Sequence, residues 1–312
     1  MEQLHGILPA LVSPFTEHNE FDKDGFRWLC RNSIEKGVHG LVLGGSLGEF
    51  PNLSNEERLT AIRIAVDEAN GKIPVLAGSS SASTDEAIVL ARQAKDEGAD
   101  AAMILPPFYY QSTEEAVFRH YDTIAHAVDI PIVIYNFPAT TKVNLSPTFV
   151  AKLAKVDGIA GIKNSVDSMV HLRELVRLTR DIRTFSVVPG MEDYLIPGLL
   201  VGAKGSVSGL SNFVPQIIVK IYEEYMKGSI KEASDLFNRV VVPLKALAPP
   251  PEPISALKIG ASLVGPVSAR VRLPILDAPD GTREAMKKFL GSSGLLPAEA
   301  IMHSKRKHPT SG

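Results

Sequence analysis

The sequence predicts a (β/α)8 barrel that is followed by a C-terminal helical extension. Short apolar runs and longer helical patterns alternate through most of the chain. Eight such pairs follow one another at intervals of roughly 25 to 30 residues, which is about the length of a βαβ unit. Eight units in roughly 225 residues are typical of a closed barrel of parallel strands.

The alternative to a barrel is a doubly wound open sheet. Such a sheet usually has fewer units, and its first strand runs into a glycine-rich turn that binds phosphate. The first apolar segment, residues 6–15, contains no turn of that kind. The sequence therefore favours the closed barrel over the open sheet.

The predicted strands are short apolar segments bounded by turn-forming residues, as expected for buried parallel strands. The first segment combines a strand with a loop, and the sixth ends on a lysine. In chain order the segments are 6–15, 40–43, 73–77, 101–105, 131–135, 158–163, 185–188 and 205–208.

The helices predicted between these strands begin at capping residues. The first covers 23–37, where apolar residues recur at helical spacing. The second opens with a capping box and runs to about residue 69. The predicted N-terminal signals are Ser54 with Glu57, Ser83 with Glu86, Ser112 with Glu115, and Ser146 before Pro147. The sixth predicted helix covers 168–179, and the seventh ends near Gly202.

The barrel is assigned to residues 1–225 and the helical extension to residues 226–300. Beyond about Phe213 the strand pattern stops, and helical patterns continue with one interruption at the prolines of 249–253. The last segment, 301–312, carries a short basic run, and we expect it to be a disordered tail. The run is too short to predict a nucleic-acid-binding arm.

Composition excludes several classes of protein. Of the 312 residues, 45% are hydrophobic and 22% are charged, which is typical of a globular enzyme. The formal net charge of -2 gives no electrostatic footprint for nucleic acid. A single cysteine, Cys30, rules out a disulfide framework, and we expect it to be a small buried hydrophobe. We find neither a signal peptide nor a membrane-length apolar run, so we expect a cytoplasmic protein.

The histidines form no metal-binding pattern. His120 and His126 are six positions apart, so they lie on different faces of a predicted helix. Neither His-x-His nor His-Glu-x-x-His occurs in the chain. We therefore predict no metal, no zinc-dependent aldolase chemistry and no other cofactor.

The lysine that ends the sixth predicted strand is the strongest candidate for chemistry. Lys163 follows the apolar run 158–162, so its side chain should be partly desolvated. Burying an unpaired ammonium is costly, and a desolvated lysine amine is more readily neutral. A neutral amine attacks a carbonyl carbon to form a Schiff base. The alternative is a lysine whose stem packs on the barrel rim while its ammonium stays in water.

Active-site residues of such barrels lie at the carboxyl ends of the strands. Lys163 and Tyr135 end two neighbouring strands. The segment Gly44–Glu49 and Tyr109 follow two other strands, so we expect all of them at one mouth. Lys204 precedes a strand and should lie at the opposite, structural face.

Tyr135 beside Lys163 suits Schiff-base chemistry, because a phenol can relay protons to and from the carbinolamine oxygen. The alternative is a tyrosine that caps the core with its hydroxyl in water. The loop Gly45–Glu49 offers backbone N–H groups to an anion, although no Walker A sequence is present. In this loop Ser46 could bond the Tyr135 hydroxyl, while Glu49 could instead be structural and bond N–H groups of its own loop.

Taken together, these motifs resemble the dihydrodipicolinate synthase and N-acetylneuraminate lyase family of class I aldolases. The resemblance extends from Gly6 to about Leu290. The segments that carry it are Gly45–Glu49, Pro107–Tyr110, Tyr135–Pro138 and Gly161–Lys163.

The resemblance implies a pyruvate Schiff base on Lys163 and a proton relay through Tyr135, Ser46 and Tyr109. In the family, the residue matching Tyr109 reaches into the neighbouring subunit, which implies a homotetramer built as a dimer of dimers. The pyruvate carboxylate would rest on the backbone N–H groups of Ser46 and Leu47. The carbonyl oxygen of Val207 would lie near the lysine, with Gly190 in the same site.

Departures from the family pattern narrow the range of possible substrates. Dihydrodipicolinate synthases carry two threonines at the positions of Ser46 and Leu47, and an arginine at the position of Thr140. That arginine binds the carboxylate of the aldehyde, so its absence argues against aspartate semialdehyde. The chain looks more like the 2-keto-3-deoxygluconate aldolase branch. Residues with side-chain oxygens for a polyhydroxy aldehyde are Ser165, Glu192, Asp193 and Ser208. Lys142 replaces a common glycine, and a cation there could favour a phosphorylated or acidic substrate.

The predicted function is reversible cleavage of a 2-keto-3-deoxy sugar acid, such as 2-keto-3-deoxygluconate, to pyruvate and an aldehyde. Dihydrodipicolinate synthase, dehydratase and N-acetylneuraminate lyase activities use the same machinery and stay open. A non-catalytic regulator that binds keto acids is the alternative from another class. No nucleic acid and no membrane is expected as a partner.

Overall fold

The structure, a computed structural model, describes residues 4–249 and 253–296. Within this part of the chain, eight short strands alternate with helices, in agreement with the sequence prediction. The strands are β1 Gly6–Pro9, β2 Leu41–Leu43, β3 Val75–Gly78, β4 Ala101–Ile104, β5 Ile132–Asn136, β6 Ile159–Asn164, β7 Ser186–Pro189 and β8 Gly205–Ser208.

The strands form a closed parallel barrel. β2 to β7 pair in sequential order, and β1 pairs with β8. Ala10, just after β1, bridges Val42 of β2, and the Lys204 N–H donates a hydrogen bond to the Val187 carbonyl at 2.9 Å. These two contacts close the ring on both sides, so the predicted (β/α)8 barrel is confirmed and the open sheet is wrong.

The helices begin close to the predicted positions. They are α1 Lys23–Glu35, α2 Asn55–Ala69, α3 Thr84–Asp96, α4 Glu114–Ala127, α5 Pro138–Thr141, α6 Pro147–Leu153, α7 Met169–Thr179, α8 Leu195–Val201, α9 Pro215–Met226, α10 Ile230–Leu236, α11 Val242–Leu247, α12 Ile254–Val264 and α13 Thr282–Ser292. The four-residue helix α5 was not predicted, because Pro138 opens a turn that is too short to show helical periodicity.

The predicted capping box of α2 is present. The Ser54 hydroxyl accepts the Glu57 N–H at 3.2 Å, and the Glu57 carboxylate accepts the Ser54 N–H at 2.9 Å. The predicted cap Ser112 is wrong by one residue. Thr113 caps α4 instead, because its hydroxyl accepts the Ala116 N–H at 3.2 Å.

Two apolar layers hold the barrel together. The larger layer lies between the strands and the surrounding helices, and it contains Cys30. Burial raises the pKa of the Cys30 thiol well above its usual range, so this residue behaves as the predicted small hydrophobe. The smaller layer fills the barrel interior. Its strand residues include Leu8, Val42, Leu76, Met103, Val133, Tyr135, Val188 and Val207.

Beyond β8 the described chain is helical, as the sequence predicts. Helix α9 ends at Met226, beside the predicted boundary between barrel and extension, and that division into domains stays a prediction. Residues 250–252 of the proline-rich break and the predicted tail 301–312 lie outside the described residues. None of the helices in the described ranges is long and apolar enough to cross a membrane.

His120 gives the fold a pH dependence. It lies in α4, is only 3% exposed, and contacts the Thr84 hydroxyl through Nδ1 at 2.9 Å. Burial lowers the pKa of His120 to about 4. An unfolded chain takes up this proton near pH 6.5, so it binds more protons than the folded chain between that pH and about 4. The stability is therefore complete above pH 6.5 and falls with decreasing pH through this window.

We predict that His120→Gln removes about 2–3 kcal/mol of the stability difference between pH 7 and pH 4.5. Urea unfolding at the two pH values measures this difference. His126→Gln on the same helix is the matched control, because His126 is exposed to solvent. A variant at position 120 that keeps the full pH dependence of the wild type would contradict the assignment.

Candidate active site

Two neighbouring strands bring Lys163 and Tyr135 together at the carboxyl end of the barrel. Tyr135 of β5 is the register partner of Lys163 in β6, and Val188 of β7 is the partner on the other side. Tyr135 and Val188 both belong to the apolar layer inside the barrel. Lys163 therefore lies where this layer ends, at the carboxyl ends of the strands. This placement follows directly from the parallel register of the strands.

Lys163 is buried against an aromatic ring. The residue is 4% exposed, and its Nζ lies 4.0 Å from the centroid of the Tyr135 ring. Across the described ranges, no carboxylate lies within ion-pair distance of this amine. The alternative of a lysine whose head group stays in water therefore does not describe this side chain. The amine faces the barrel mouth without an ionic partner.

The Tyr135 hydroxyl lies beside Ser46. The two hydroxyl oxygens are 3.3 Å apart, which is the contact that the sequence predicts. Tyr135 is 3% exposed, and its ring stacks on Phe137 at a centroid distance of 5.8 Å. Tyr135 thus meets the Lys163 amine with its ring face and the Ser46 hydroxyl with its own hydroxyl, and such hydroxyl groups can pass protons.

The loop after β2 leaves two N–H groups unbonded. The Gly48 N–H donates to the Gly45 carbonyl at 3.1 Å, and the Glu49 N–H donates to the Ser46 carbonyl at 3.0 Å. The N–H groups of Ser46 and Leu47 donate to no other group in the described part of the chain. Adjacent unbonded N–H groups in the middle of a turn are suited to a carboxylate.

Gly190 makes room for Lys163. A Cβ atom at this position would lie 2.1 Å from the Ser165 hydroxyl oxygen and 3.0 Å from Lys163 Cε. Ser165 itself is buried, and its N–H donates to the Asn136 carbonyl at 2.8 Å. The sequence analysis assigns Gly190 and Ser165 to the site. In the structure, Gly190 lies beside both the Ser165 hydroxyl and the lysine stem.

Tyr109 does not join the other residues within one chain. Its side chain is 88% exposed and packs edge-on against Tyr110 at a centroid distance of 5.2 Å. In the described part of the chain it makes no hydrogen bond to Ser46 or Tyr135. Its φ of 89° is unusual for a residue with a side chain. Tyr109 therefore projects outward from the loop after β4.

The side chains expected to bind substrate hydroxyls are partly occupied by the protein. The Glu192 carboxylate accepts the Ser208 hydroxyl at 3.0 Å and the Leu210 N–H at 2.8 Å. Lys245 lies 3.5 Å from Glu192 and 3.3 Å from the more exposed Asp193. Burial lowers the pKa of Lys245, but the two carboxylates outweigh burial and raise it overall. These contacts favour structural roles for Glu192 and Ser208 and leave Asp193 closer to solvent.

A cavity of about 320 Å³ opens beside Ser46. Thr140 and Thr141 lie on one side of it, and no lysine or arginine among the described residues lines it. The Thr140 hydroxyl donates to the Phe137 carbonyl at 3.0 Å, so it is free only as an acceptor. The apolar walls are formed by Phe50, Leu105, Phe108, Ile254, Pro274 and Ile275.

Lys142 is solvated, as the sequence predicts. The conformation of its backbone explains why a glycine is expected at this position. The residue ends α5 with a φ of 60°, which lies in the left-handed region that favours glycine. Its Nζ donates to the Ala139 carbonyl at 2.8 Å. The lysine thus adopts the left-handed backbone conformation that a glycine would adopt more easily.

Lys204 lies where the sequence predicts it, whereas the expected proximity of the Val207 carbonyl to Lys163 stays a prediction. Val207 of β8 is buried in the interior layer and pairs with Leu8. Lys204 precedes β8, and its carbonyl accepts the Gly6 N–H at 2.8 Å at the amino end of the strands. Lys204 therefore lies at the face opposite the mouth.

Glu49 is structural, but its partners are not those predicted. Its carboxylate accepts hydrogen bonds from Lys258 Nζ, from the Arg272 N–H and from the Asn52 amide, rather than from N–H groups of its own loop. Lys258 and Arg272 come from the C-terminal extension, which sequence analysis did not connect with the site. The signal for Lys258 was a single lysine within the apolar helix α12.

The described residues contain no group of three or more His, Cys, Asp or Glu side chains arranged to hold a metal ion. The groups that the structure places at the mouth are the Lys163 amine, the Tyr135 phenol, the Ser46 hydroxyl and backbone N–H groups of the loop after β2. Such a set can form an imine with a keto acid, bind its carboxylate and move protons at the adjacent carbons.

Comparison with known proteins places the chain among proteins with this chemistry. A sequence model of the dihydrodipicolinate synthetase family matches residues 3–292. The chain is 36% identical over 297 residues to a 4-hydroxy-tetrahydrodipicolinate synthase of Methanopyrus kandleri, covering 95% of this chain and 98% of the relative. It is 34% identical over 301 residues to YjhH of Escherichia coli, a probable 2-dehydro-3-deoxy-D-pentonate aldolase, covering 95% and 100% of the two chains.

Solved structures are similar over nearly the whole chain. YagE of Escherichia coli, a protein of the dihydrodipicolinic acid synthase family solved in complex with pyruvate, has a TM-score of 0.87 and 32% identity. That similarity covers 94% of this chain and 99% of YagE. Dihydrodipicolinate synthase of Thermotoga maritima has a TM-score of 0.90 and 30% identity, over 95% and 100% of the two chains.

We predict that Gly190→Ala lowers the free energy of unfolding by about 1–3 kcal/mol, the usual cost of overpacking. The added methyl would displace Ser165 or Lys163, and chemical denaturation measures the loss. Ser165→Gly in the same chain should recover most of it, because it removes the 2.1 Å contact. Gly291→Ala is the control, since its methyl would meet only Leu296 at 3.6 Å. A fully stable Gly190→Ala variant would contradict this packing.

Proposed function

Because the chain belongs to the dihydrodipicolinate synthetase family, whose members are Schiff-base-forming lyases, we propose that it is a pyruvate-dependent aldolase with Lys163 as the nucleophile. The observation that carries the proposal is the buried Lys163 amine, 4.0 Å from the Tyr135 ring, with Ser46 3.3 Å from the Tyr135 hydroxyl. Membership of this family favours an enzyme over the non-catalytic regulator.

The reaction starts when the neutral amine of Lys163 attacks the ketone carbon of a 2-keto acid. Tyr135 passes a proton to the carbinolamine oxygen, water leaves and an iminium ion forms. The bond between C3 and C4 then breaks, and its electron pair moves into the iminium to give an enamine. The C4 hydroxyl loses its proton through Tyr135 and Ser46, and the aldehyde departs. Protonation of the enamine at C3 and hydrolysis of the imine release pyruvate.

The pyruvate carboxylate binds the loop after β2. The unbonded N–H groups of Ser46 and Leu47 support this assignment, because each gains a charged acceptor when the carboxylate is present. Both groups lie on the loop that also carries the Ser46 hydroxyl. The keto acid is thus held at one end by backbone groups and at the other by the covalent bond to Lys163. The carbonyl of Val207 and the backbone at Gly190 complete the pocket.

The aldehyde partner is uncharged, and a 2-keto-3-deoxy sugar acid such as 2-keto-3-deoxygluconate is the substrate we favour. Thr140 stands where a carboxylate-binding arginine would be expected, and the adjoining cavity has no cationic side chain among the described residues. Hydroxyl groups of the aldehyde would meet Thr140, Ser165 and Asp193. The similarity to YjhH, named a probable aldolase for a 2-dehydro-3-deoxy-pentonate, supports the same substrate class.

Synthesis of 4-hydroxy-tetrahydrodipicolinate is the second candidate, because proteins of that name are 34–37% identical to this chain. It needs the same pyruvate imine but an aldehyde that carries a carboxylate. No cationic side chain of the described residues lines the cavity at Thr140, so this activity ranks second. N-acetylneuraminate lyase activity shares the imine chemistry and is supported by no separate feature of the chain.

A homotetramer made of two dimers completes the proposal. Tyr109 and Tyr110 are 88% and 74% exposed, which is a large aromatic surface for a monomer to present to water. Across a dimer interface, Tyr109 would reach the Ser46 and Tyr135 hydroxyls of the neighbouring subunit. Sedimentation velocity measures the assembly, and a monomer at working concentration would contradict it.

A substrate panel tests the preference for an uncharged aldehyde. Pyruvate release from 2-keto-3-deoxygluconate and its pentonate analogue should exceed condensation of pyruvate with aspartate semialdehyde. Thr140→Arg should raise kcat/KM for aspartate semialdehyde by roughly 10–100-fold, since a hydrogen bond to a charged group contributes about 1.5–3 kcal/mol. Thr140→Gln is the neutral control and should leave it unchanged. Efficient use of aspartate semialdehyde by the wild type would favour the second candidate.

A further inference from the structure

The turn that carries Ser46 is strained and is held from outside. Glu49 ends this turn with a φ of 53°, in the left-handed region that residues with a side chain avoid. Its N–H donates to the Ser46 carbonyl at 3.0 Å, so the positions of these two residues are coupled directly. Glu49 is 1% exposed, and a buried carboxylate needs partners. Those partners keep an otherwise unfavourable turn in place.

The first partner is Lys258 of α12. This lysine has no exposed surface, although every position around it in the helix is apolar or small. Its Nζ donates to a Glu49 carboxylate oxygen and, at 2.7 Å, to the Arg270 carbonyl. The same ammonium lies 4.2 Å from the centroid of the buried Phe15 ring. All the polar contacts of Lys258 thus connect α12 with the turn and with the segment around residue 270.

The second partner is Arg272. Its backbone N–H donates to the other Glu49 oxygen at 3.0 Å. Its guanidinium binds both oxygens of Glu57 at 2.6 and 2.9 Å and the Asn52 carbonyl at 2.8 Å. The Asn52 side-chain amide donates a hydrogen bond to the Arg272 carbonyl at 3.2 Å. Arg272 therefore fixes the residues that follow the turn, from Asn52 to the capping box of α2.

We propose that Lys258 and Arg272 are positioning residues, which hold the turn Gly45–Glu49 so that Ser46 stays beside Tyr135. This role rests on the proposed function of Lys163, and it makes the C-terminal extension part of the active-site apparatus. The contact that depends on it is the 3.3 Å distance between the Ser46 and Tyr135 hydroxyls. The relay acts on protons at the substrate, so a displaced Ser46 slows the reaction without touching the lysine.

A buried ion pair can also be merely structural, and replacing both charges often leaves stability unchanged. The double variant Glu49→Gln/Lys258→Met separates the two roles, because no buried charge is left unpaired. The measured quantity is the rate of imine formation with pyruvate, obtained by quenching with borohydride at increasing times. We expect a folded protein whose rate is about 100-fold lower, the effect of misplacing a reacting group by about 1 Å.

The same substitutions are then made in a Ser46→Ala background. If Lys258 acts through Ser46, the pair substitution changes the rate of that variant by less than about threefold, because the shared contact is already gone. Equal slowing in both backgrounds would overturn the proposal. A double variant with the wild-type rate would overturn it as well.

Arg272→Met serves if the double variant does not fold, because the Arg272 side chain keeps 14% of its surface exposed, whereas that of Lys258 has none. It should slow imine formation about tenfold, an effect that vanishes in the Ser46→Ala background. An unchanged rate would overturn the proposal. Leu153→Ala is the control for lost stability: it removes buried contacts in α6, a barrel helix that packs on α4 and α7, and should lower Tm without changing the rate.

Amide hydrogen exchange measures how firmly the turn is held, and it does so whether or not the protein has the proposed function. Exchange in the peptide 44–52 should be faster in the double variant than in Leu153→Ala, and equal exchange would overturn the positioning role. If the folded wild type forms no imine with pyruvate, the proposed function fails. The exchange result then still decides whether Lys258 and Arg272 hold the turn.

Discussion

The site depends on the burial of one amine against one aromatic ring. Lys163 and Tyr135 are register partners on adjacent parallel strands, so the closure of the barrel fixes their separation without any loop. Gly190, which follows the neighbouring strand β7, leaves the space that the lysine stem and the Ser165 hydroxyl occupy. With no carboxylate beside it in the described ranges, the amine meets the Tyr135 ring at 4.0 Å. Rigid strands thus hold the reacting group, and loops supply what surrounds it.

The loop after β2 joins this rigid pair to the rest of the molecule. The Ser46 hydroxyl lies 3.3 Å from the Tyr135 hydroxyl, and the N–H groups of Ser46 and Leu47 have no hydrogen-bond acceptor in the described part of the chain. The same loop ends at Glu49, whose charge is compensated by Lys258 of the extension. Burial lowers the pKa of Lys258 to about 8, although Glu49 opposes that change. The strands therefore hold Lys163 and Tyr135, while the extension contacts the loop that carries Ser46.

Most of the fold and the centre of the site follow from the sequence, because both depend on local patterns. Strand ends at Tyr135 and Lys163 are visible as apolar runs, and a parallel barrel brings such ends together. Glu49 and Lys258 are 209 positions apart in the sequence, and Glu192 and Ser208 are 16 apart. The periodic patterns that predict strands and helices do not predict contacts of this kind. The cap at Thr113 was missed because Ser112 offers the same hydroxyl one residue earlier. The role proposed for Tyr109 needs a second chain, and contacts between chains leave no pattern in a single sequence.

The central claim is that Lys163 forms a Schiff base with pyruvate. Its most direct test is borohydride reduction in the presence of pyruvate, followed by peptide mass spectrometry of the folded protein. The account predicts a single reduced adduct on Lys163 that disappears in Lys163→Ala and persists in Lys142→Ala. A folded protein that forms no adduct at any pH would contradict the account. An adduct on Lys142 would show that the mouth is correct and that the nucleophile is not Lys163.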